Sequence, residues 1–552
     1  CTKDRPVTSA ADTAPADNSI RNTFPMLKAR SDLMPAAAAK QLDHAVETLT
    51  ETGLDPVLAR LFATRGVTSA ADLDYSKSAL LPPDTLKNAI PTGRALAECL
   101  GKQARLVIVS DYDCDGATAC AVLVRTFRAA GMNFGWLVPD REIHGYGLSP
   151  AIVEEAGNGV VTSDVASLLE REQAVAKESE RKARISPTSP TTEAFDGTVK
   201  APARGQKPQV LITVDNGIAS VEGVAKAREM GMNVLITDHH LPGATRPDAW
   251  QIVNPNQEGC GFASKNLAGC GVAYYVACTF AHEVRQRLQD GRLSYVSEGG
   301  VVADEFQWFH PDELLPLVSL GTVADVVQLD HNNRALVTLG LDMLRSGMAP
   351  VGLAALAQAS GVALPDLSCQ DYGFKLGPRL NAAGRISHMG IGIDCLVSDN
   401  REYVRLAASA LTHLNEDRKT RQKAIEEESV GQVLEQLRES FLHSEGLSSL
   451  VAYSPEWHKG IVGIVAGRIK EAENRPVFVL TAGKDDTLTG SGRSIPGFHL
   501  KHALDQISAQ HPDMFKAFGG HAMAAGVTLN PGMLDRFRHA FEAQARKDLS
   551  AE

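Results

Sequence analysis

Short apolar runs alternate with longer amphipathic stretches in the part of the chain before residue 240. Each run has four or five residues, contains β-branched or aromatic side chains and is bounded by polar residues or glycine, which is typical of buried strands. The runs are Leu106 to Val109, Phe134 to Val138, Val210 to Val214 and Asn233 to Thr237. Helical periodicity follows two of them, at Ala117 to Ala130 and Ile218 to Met230. This alternation predicts an α/β fold with a parallel, doubly wound sheet.

The segments around this pattern have a different composition. Residues 1–34 are rich in Ala, Thr, Asp and Pro, so we predict a disordered N-terminal segment, followed by a helical lead-in over residues 35–90. Residues from about 155 to 207 contain a charged helical piece and then a stretch rich in Pro, Ser and Thr, which predicts a disordered insertion. A long amphipathic pattern from Arg401 to Leu437 predicts a connecting helix. Its basic residues fit either a nucleic-acid contact or a solvated face.

The first strand leads directly into a cluster of carboxylates, Asp111, Asp113 and Asp115, followed by Gly116. Residues two apart in an extended segment point the same way, so these side chains should converge. Carboxylates that close repel one another unless a cation or protons neutralise them, which makes a site for a hard metal ion the first hypothesis. A solvated turn is the alternative. A calcium-binding EF-hand is excluded, because its twelfth position is Val122 and a strand, not a helix, precedes the loop.

Two further strands end in residues that bind metals. Asp215 follows one strand, and Asp238, His239 and His240 follow the next. Because the carboxyl ends of parallel strands share one edge of the sheet, we expect these side chains to meet the first cluster. Asp325 is a fourth candidate, since its apolar surroundings make an unpaired carboxylate costly to bury. A helix cap is the alternative role for Asp325.

Composition restricts the class of protein. With 552 residues the chain has room for roughly three or four domains, and 44% hydrophobic and 22% charged residues are usual for globular proteins. No apolar run reaches the roughly 18 residues of a membrane span. A net charge of −11 argues against nucleic-acid binding over the whole surface but allows a local basic groove. The nine cysteines form no CxxC pair, which favours reduced thiols in the cytoplasm.

Eight sequence blocks in order resemble a known family. VSDYDCDG, VDNG, TDHH and GTVAD are similar to the DHH phosphoesterase superfamily. GPRLNAAGRI at 377–386 and EWHKGIVGIVAGRI at 456–469 resemble its RecJ family of single-stranded-DNA-specific exonucleases. GSGRS at 490–494 and FGGHAMAAG at 518–526 are similar to the accompanying DHHA1 domain. The resemblance covers roughly residues 50 to 540, apart from the insertion.

The resemblance implies the domain order. A parallel doubly wound DHH catalytic domain is expected at residues 91–345, then a helical region with the connecting helix at 346–440. A smaller α/β DHHA1 domain that binds substrate is expected at 441–545. The family commonly has a further OB-fold, whereas this chain ends at Glu552, so we expect either a fragment or a member that lacks this domain.

The resemblance also implies two divalent cations, manganese or magnesium. The implied ligands are Asp111, Asp113, Asp115, Asp215, His239 and Asp325. Asp215 would bridge the two ions, and His240 would contact the scissile phosphate, so that Asp113, Asp215 and His240 are the implied catalytic residues. Oxygen ligands with one imidazole suit manganese or magnesium better than a structural zinc site, which agrees with this assignment.

The implied activity is hydrolysis of single-stranded DNA from its 5′ end to nucleoside 5′-monophosphates, in DNA repair and recombination. Residues expected to hold the strand are Arg379, Asn381, Arg385, Ser491, Arg493, Gly519, Gly520 and His521. Guanidinium groups match phosphate geometry, and glycines let the backbone approach an anion. The alternatives are a domain junction around Arg379 and a tight turn capped by His521.

Two other functions remain as alternatives. A DHH pyrophosphatase or oligonucleotide phosphodiesterase would use the same ions. A catalytically silent nucleic-acid-binding scaffold should have lost ligands, and here all six are present. Besides single-stranded DNA, we expect a single-strand-binding protein or a helicase as partner, a monomeric state, a cytoplasmic location and no membrane association.

Overall fold

The computed structural model describes residues 36–140, 143–145, 147–185, 203–204, 207–296, 299–442 and 446–549. The chain divides into two compact units, Cys1–Asp74 and Tyr75–Glu552. In the first unit, α1 (Ala36–Glu51) and α2 (Pro56–Ala63) pack around Leu49 and Ala59. Asp55 caps α2 by accepting the amides of Val57 and Leu58. The disorder predicted for residues 1–34 lies outside the described residues.

The second unit begins with a six-stranded sheet in the order β4-β2-β1-β6-β7-β8. The four predicted strands are present, and all neighbouring pairs from β2 to β8 are parallel. The elements in chain order are α3 (Ala89–Gly101), β1 (Leu106–Ser110), α4 (Cys114–Ala130), β2 (Phe134–Leu137), α5 (Pro150–Gly157), β3 (Val160–Val161), β4 (Ser163–Asp164), α6 (Val165–Ile185), β5 (Ala203–Arg204), β6 (Val210–Val214), α7 (Val221–Glu229), β7 (Asn233–Thr237), β8 (Gln251–Val253) and α8 (Gly269–Gln289).

Helices cover both faces of this sheet. Leu106 and Ile108 of β1 belong to the core cluster that includes α3, α4 and α8, whereas Val107 and Val109 belong to the cluster on the other face, with α5 and α7. Side chains alternate along a strand, so a strand buried on both sides must be apolar throughout, as the β1 run is. The predicted doubly wound α/β fold is confirmed.

The prediction of a disordered insertion from about 155 to 207 is wrong for residues 155–185. β4 adds an antiparallel edge strand to the sheet, and α6 packs against the following helical region. Arg171 of α6 donates to the buried carboxylate of Asp394 at 2.7 Å, and Leu168 is buried. The charged helical piece predicted in this stretch is α6, but its high charge did not indicate that Leu168 and Arg171 would pack against other helices. Residues 186–202 lie outside the described part.

A helical region follows the sheet. Its helices are α9 (Leu315–Ala324), α10 (His331–Arg345), α11 (Val351–Ala359), α12 (Cys369–Asp371), α13 (Gly377–Ile386), α14 (Gly390–Val397) and α15 (Arg401–Leu442), with a π-helical turn at Tyr372–Leu376. α9 packs on α4 and α8, and α13 packs on α15. The predicted connecting helix is therefore α15, which extends to Leu442, beyond the predicted end at Leu437.

The last part of the chain is a five-stranded mixed sheet in the order β12-β13-β11-β10-β9. Its elements are β9 (Leu450–Tyr453), α16 (Lys459–Glu473), β10 (Val477–Ala482), β11 (Leu488–Arg493), α17 (Leu500–Gln510), β12 (Phe515–Gly520), β13 (Ala524–Leu529) and α18 (Leu534–Leu549). α17 and α18 cover one face through a cluster that includes Phe478 and Phe541, and α16 packs on the other. Among the described residues, every helix is too short or too polar to cross a membrane.

Candidate metal centre

The candidate site lies outside the carboxyl ends of β1, β6 and β7. From β1 the chain continues through α4 to β2 on one side, and from β6 it continues through α7 to β7 on the other. The pair of strands β1 and β6 is therefore the point where the order of the sheet reverses. A crevice at such a point is the usual ligand site of open parallel sheets.

The three aspartates after β1 converge for a different reason from the one predicted. Asp113 is the N-cap of α4 and accepts the amide of Gly116 at 2.9 Å, while Asp115 lies in the first turn of that helix. The segment is thus a strand-to-helix turn, not an extended run through Asp115. Asp115 turns toward α8, where it accepts the amides of Gly269 at 2.6 Å and Cys270 at 3.0 Å.

Asp215 lies between these groups, directly after β6. Its backbone is left-handed, with φ of 62°, a conformation that aspartate tolerates better than most residues. Its side chain is 1% exposed. Gly269 gives this carboxylate room, because a Cβ atom at residue 269 would lie 2.5 Å from Asp215 Oδ1.

His239 brings the remaining predicted ligands together. Its Nε2 atom lies 3.1 Å from Asp215 Oδ1, 3.5 Å from Asp325 Oδ2 and 4.0 Å from Asp115 Oδ2. Ligand atoms of Asp111, Asp113 and Asp215 form one group within 4.8 Å, and those of Asp115, His239 and Asp325 form another. The structure thus assembles the six predicted ligands. Asp325 is also the C-cap residue of α9, where its backbone amide donates to the carbonyl of Gly321, so the cap position and the position in the cluster coincide.

The electrostatics of this cluster favour a bound cation. Burial, together with the neighbouring aspartates, raises the pKa of Asp215 well above its ordinary value and that of Asp325 to about 8. Burial also raises the pKa of Asp113, with Asp115 adding to the effect. Without a cation the cluster would therefore hold protons at neutral pH.

Among the described residues, Asp215 Oδ1 and His239 Nε2 are two buried atoms without a well-oriented hydrogen-bond partner, although they lie 3.1 Å apart. Buried polar atoms are nearly always satisfied, so this pair of orphans needs an explanation. Burial lowers the pKa of His239, which favours the neutral imidazole that ligates metals. Carboxylate oxygens with one imidazole are a donor set suited to Mn²⁺ or Mg²⁺, and the residues present fit such ions.

His240 stands at the mouth of the site with a side chain that is 44% exposed. Its Nδ1 atom lies 2.8 Å from Asp238 Oδ1. Burial alone would lower the pKa of His240, but the hydrogen bond with Asp238 raises it to about 9. A protonated His240 carries a second N–H donor at Nε2, besides the Nδ1 donor that bonds to Asp238.

Sequence reasoning missed the residues that hold the ligands in place. Asp238 also accepts the amides of Ile218, His239 and His240, which fixes the Asp-His-His loop. Asn254 and Asn256, after β8, donate to the carbonyls of His240 and His239. Their position directly after a strand could have identified Asn254 and Asn256 from the sequence. No sequence signal pointed to Gly269, because its contacts are with residues distant in the chain.

The predicted DNA-holding residues Arg379, Asn381 and Arg385 lie on helix α13. Asn381 accepts the amide of Cys114 at 2.8 Å, beside Asp113. Arg379 donates to Thr412 of α15, and Arg385 donates to the carbonyl of Gly460 in α16 at 3.3 Å. These contacts join the carboxylate cluster to the last domain, which is the alternative role stated for this segment.

The other predicted DNA-holding residues meet at one end of the second sheet. Ser491 and Arg493 lie in β11, and Gly519 and Gly520 lie in β12. Ser491 pairs with Gly526, which pairs with Gly519, so the three form one row. His521 follows β12 in the turn to β13 and is exposed. Burial lowers the pKa of Arg493.

A doubly wound parallel sheet with this Asp and His cluster at its switch point, followed by a smaller mixed-sheet domain, defines a phosphoesterase of the DHH type. The model of the DHH family, N-terminal domain, matches residues 105–296, and the DHHA1 domain matches residues 446–547. The single-stranded-DNA-specific exonuclease RecJ of Salmonella typhimurium is 40% identical over 88% of this chain and 74% of its own length. The chain belongs to the RecJ family.

Two solved structures of RecJ from Thermus thermophilus are similar to the whole arrangement. The Mn²⁺ complex superposes with a TM-score of 0.66 at 26% identity, and the Mg²⁺ complex with a TM-score of 0.60 at 25% identity. Both matches cover 93% of this chain, which spans 62% and 60% of those two chains. The metals in these relatives agree with the donor set found here.

Proposed function

We propose that this chain is a metal-dependent exonuclease that hydrolyses single-stranded DNA from its 5′ end to nucleoside 5′-monophosphates. The observation that carries the proposal is the convergence of six ligand-type side chains around two orphaned buried atoms, Asp215 Oδ1 and His239 Nε2. Membership in the RecJ family supports the substrate class.

Each side chain has a role in this proposal. Asp111, Asp113 and Asp215 would hold one cation, and Asp115, His239 and Asp325 the second, with Asp215 between them. When bound, two divalent cations lower the pKa of a water and neutralise charge on the phosphoryl oxygens. Burial and the mutual repulsion of the aspartates raise the pKa values of Asp113, Asp215 and Asp325, and a bound cation would offset both effects.

His240 would donate from Nε2 to an oxygen of the scissile phosphate. Its charge is maintained by Asp238, whose carboxylate lies 2.8 Å from Nδ1, so the donor is present at neutral pH. The amides and asparagines around Asp238 keep this ring in place, which lowers the cost of ordering it when the substrate binds. His240 therefore recognises the substrate, while the six ligands recognise the ions.

Partners and location are part of the same proposal. A single-strand-binding protein or a helicase would supply or present the strand, and the chain would act as a monomer in DNA repair and recombination. The cytoplasm is the proposed location, because the described cysteines are free thiols and most of them are buried.

Oligonucleotides that carry a label at the 5′ or the 3′ end test the activity. With Mn²⁺ or Mg²⁺, a 5′-labelled single strand should release labelled mononucleotide at once, whereas a 3′-labelled strand should shorten step by step. Duplex DNA and pyrophosphate should react slowly, and a chelator should stop the reaction. Rapid hydrolysis of pyrophosphate, or first release of the 3′ label, would contradict the proposal.

A further inference from the structure

Strand β9 lies at the end of the second sheet, and side chains of α15 close its outer side. On its inner side β9 pairs with β10. In a parallel pair, each residue directs its amide and carbonyl to one side, and the side alternates along the strand. Leu450 donates toward β10, to the carbonyl of Pro476, so the backbone groups of Val451 and Tyr453 point outward. Such groups on an edge strand need water or another partner.

Two glutamines of α15 take the place of a further strand. The side chain of Gln432 donates to the carbonyl of Tyr453 at 2.9 Å and accepts the amide of Tyr453 at 2.9 Å. The side chain of Gln436 donates to the carbonyl of Val451 at 2.9 Å and accepts the amide of Val451 at 3.4 Å. We call these two side chains the amide clamp.

The spacing of the amide clamp matches the strand. Four residues of a helix rise by about 6.0 Å, and two residues of a strand rise by about 6.6 Å. Gln432 and Gln436 are therefore in register with Tyr453 and Val451, with the helix antiparallel to β9. The amide of glutamine carries a donor and an acceptor side by side, so one side chain satisfies both backbone groups of one strand residue.

The amide clamp belongs to a longer stripe that attaches α15 to the DHHA1 domain. Glu428, one turn before Gln432, accepts the indole N–H of Trp457 at 2.6 Å. Ile425 and Val433 pack in the apolar cluster formed with β9, β10 and α16. Residues three or four apart share one face of a helix, so these polar and apolar contacts together hold this end of α15 on the edge of the sheet.

The other end of α15 is attached to the catalytic half of the chain. Thr412 accepts from Arg379 of α13 at 3.1 Å, and Tyr403 donates to the buried carboxylate of Asp394 at 3.0 Å. Between Thr412 and Ile425 most side chains of α15 are exposed or half-buried. This span of the helix rises by about 20 Å. The two ends of α15 are thus fixed to different domains, with a largely exposed span between them.

A second contact joins the two domains at α13. Arg385 donates to the carbonyl of Gly460 at 3.3 Å, and a Cβ atom at residue 460 would lie 2.2 Å from the carbonyl oxygen of Arg385. This contact by itself would allow the DHHA1 domain to rotate about it. The amide clamp attaches the same domain at β9 as well, and two separate attachments define the angle between the second sheet and the metal centre.

We propose that Gln432 and Gln436 are positioning residues of the exonuclease reaction. Their pairing with β9 sets the angle of the DHHA1 sheet, so that one strand of DNA can contact this sheet and the metal centre at the same time. The inference rests on the proposed function, because it requires a substrate that reaches both domains. The alternative role of the two glutamines is to close an edge strand against pairing with other chains.

The double variant Gln432→Met/Gln436→Met tests the amide clamp in the full chain. Methionine has a length and a helix propensity similar to those of glutamine but lacks the amide. The matched control is Gln422→Met in the exposed span of α15, where the side chain of Gln422 bonds to Arg418 and Glu426 of the same helix. Steady-state kinetics with Mn²⁺ would give kcat and KM for thymidine oligonucleotides of two and twelve nucleotides.

We expect the clamp variant to hydrolyse the dinucleotide as the wild type does, because this substrate is too short to reach both domains. For the twelve-nucleotide strand, KM should rise about tenfold and kcat should stay nearly unchanged. Two linked contacts raise affinity by about 10²- to 10⁴-fold only when the geometry allows both to form, so a wrong angle removes part of this gain. Hydrogen exchange at the amides of Val451 and Tyr453 should become faster, which verifies that the pairing is lost.

An unchanged ratio of the two KM values in a variant with faster amide exchange would overturn the inference, whether or not the temperature of unfolding falls. The glutamines would then have the edge-closing role alone. If the double variant does not fold, Gln436→Met, which removes the pair with the longer hydrogen bond, gives the same comparison. Failure of the proposed function is a separate result, because the wild-type chain would then hydrolyse neither oligonucleotide.

Discussion

Asp215 is surrounded by the carboxylates of Asp111, Asp113, Asp115 and Asp325, and burial together with these charges raises its pKa well above the ordinary value. We predict that Asp215→Asn reduces nuclease activity by more than about 100-fold, the upper end for residues that only orient a metal ligand. Without metal, the temperature of thermal unfolding should stay the same or rise, because the amide replaces a buried carboxyl group that must take up a proton when the chain folds among the other aspartates. Unfolding in chelator and in Mn²⁺ would measure both effects.

The control for this prediction is Asp535→Asn, since the side chain of Asp535 is 82% exposed on α18. It should change neither activity nor unfolding. Substantial activity of Asp215→Asn at saturating Mn²⁺ would show that this carboxylate is not needed between the two cations.

Gly269 allows a different test of the same carboxylate. A Cβ atom at residue 269 would lie 2.5 Å from Asp215 Oδ1 and 2.7 Å from Asp215 Cβ, so Gly269→Ala must displace Asp215. We predict a loss of activity and of Mn²⁺ stabilisation, although alanine is the better helix former. Nuclease assays and thermal unfolding with Mn²⁺ would show this.

Gly467→Ala is the matched control, because a Cβ atom there meets nothing within 4 Å in α16. It should keep full activity and gain about 0.4–1 kcal/mol of unfolding free energy from the lower entropy of the unfolded chain. Equal behaviour of the two variants would mean that the contact at Gly269 is not critical.

At the scale of elements, the prediction concerns residues 186–202, the stretch of the predicted insertion that follows α6. Replacing residues 186–202 with a short Gly/Ser linker should leave turnover on short oligonucleotides nearly unchanged, because halving a loop changes its closure entropy by only about 0.6 kcal/mol. Steady-state rates and thermal unfolding would check this.

The comparison variant extends the replacement through residue 204, which removes β5 and its pairing with β3. We expect a lower temperature of unfolding for this longer replacement only. Loss of activity in the shorter one would show that residues 186–202 contribute to the site.

At the scale of the whole molecule, the proposal separates cutting in the DHH domain from holding in the DHHA1 domain. Arg493→Ala and His521→Ala should each weaken binding of single-stranded DNA by about 1–3 kcal/mol, the cost of a lost hydrogen bond to a charged group. Loss of Arg493 should also reduce the salt dependence by about one counterion. Binding against salt in Ca²⁺ would measure both.

Stabilisation by Mn²⁺ should be unchanged in these variants, because neither residue belongs to the groups of side chains that could hold the ions. Arg538→Ala on α18 is the control for charge removal and should bind DNA normally. Wild-type affinity in both test variants would place the strand elsewhere and leave the end of this sheet with a structural role.

The strands and the strand-end ligands could be predicted from the sequence for a local reason. A strand buried on both faces must be apolar, as Leu106 to Val109 is, and parallel strands bring their carboxyl ends to one edge. Asp215 and His239 were therefore predictable neighbours of Asp111. Asp325 was a candidate because of its apolar surroundings, and the family motifs joined it to the strand-end ligands.

Tertiary structure decided what depends on contacts between distant segments. Asp115 points to amides 154 residues away, at the start of α8, and Gly269 leaves space for a carboxylate from another strand. The charged helical piece in the predicted insertion is ordered as α6 because Arg171 and Leu168 pack on other parts of the fold. Local sequence specified which segments are apolar and which side chains can bind a cation. Only packing determined which groups hold those side chains in place, because their hydrogen-bond partners and the space around them come from residues remote in the chain.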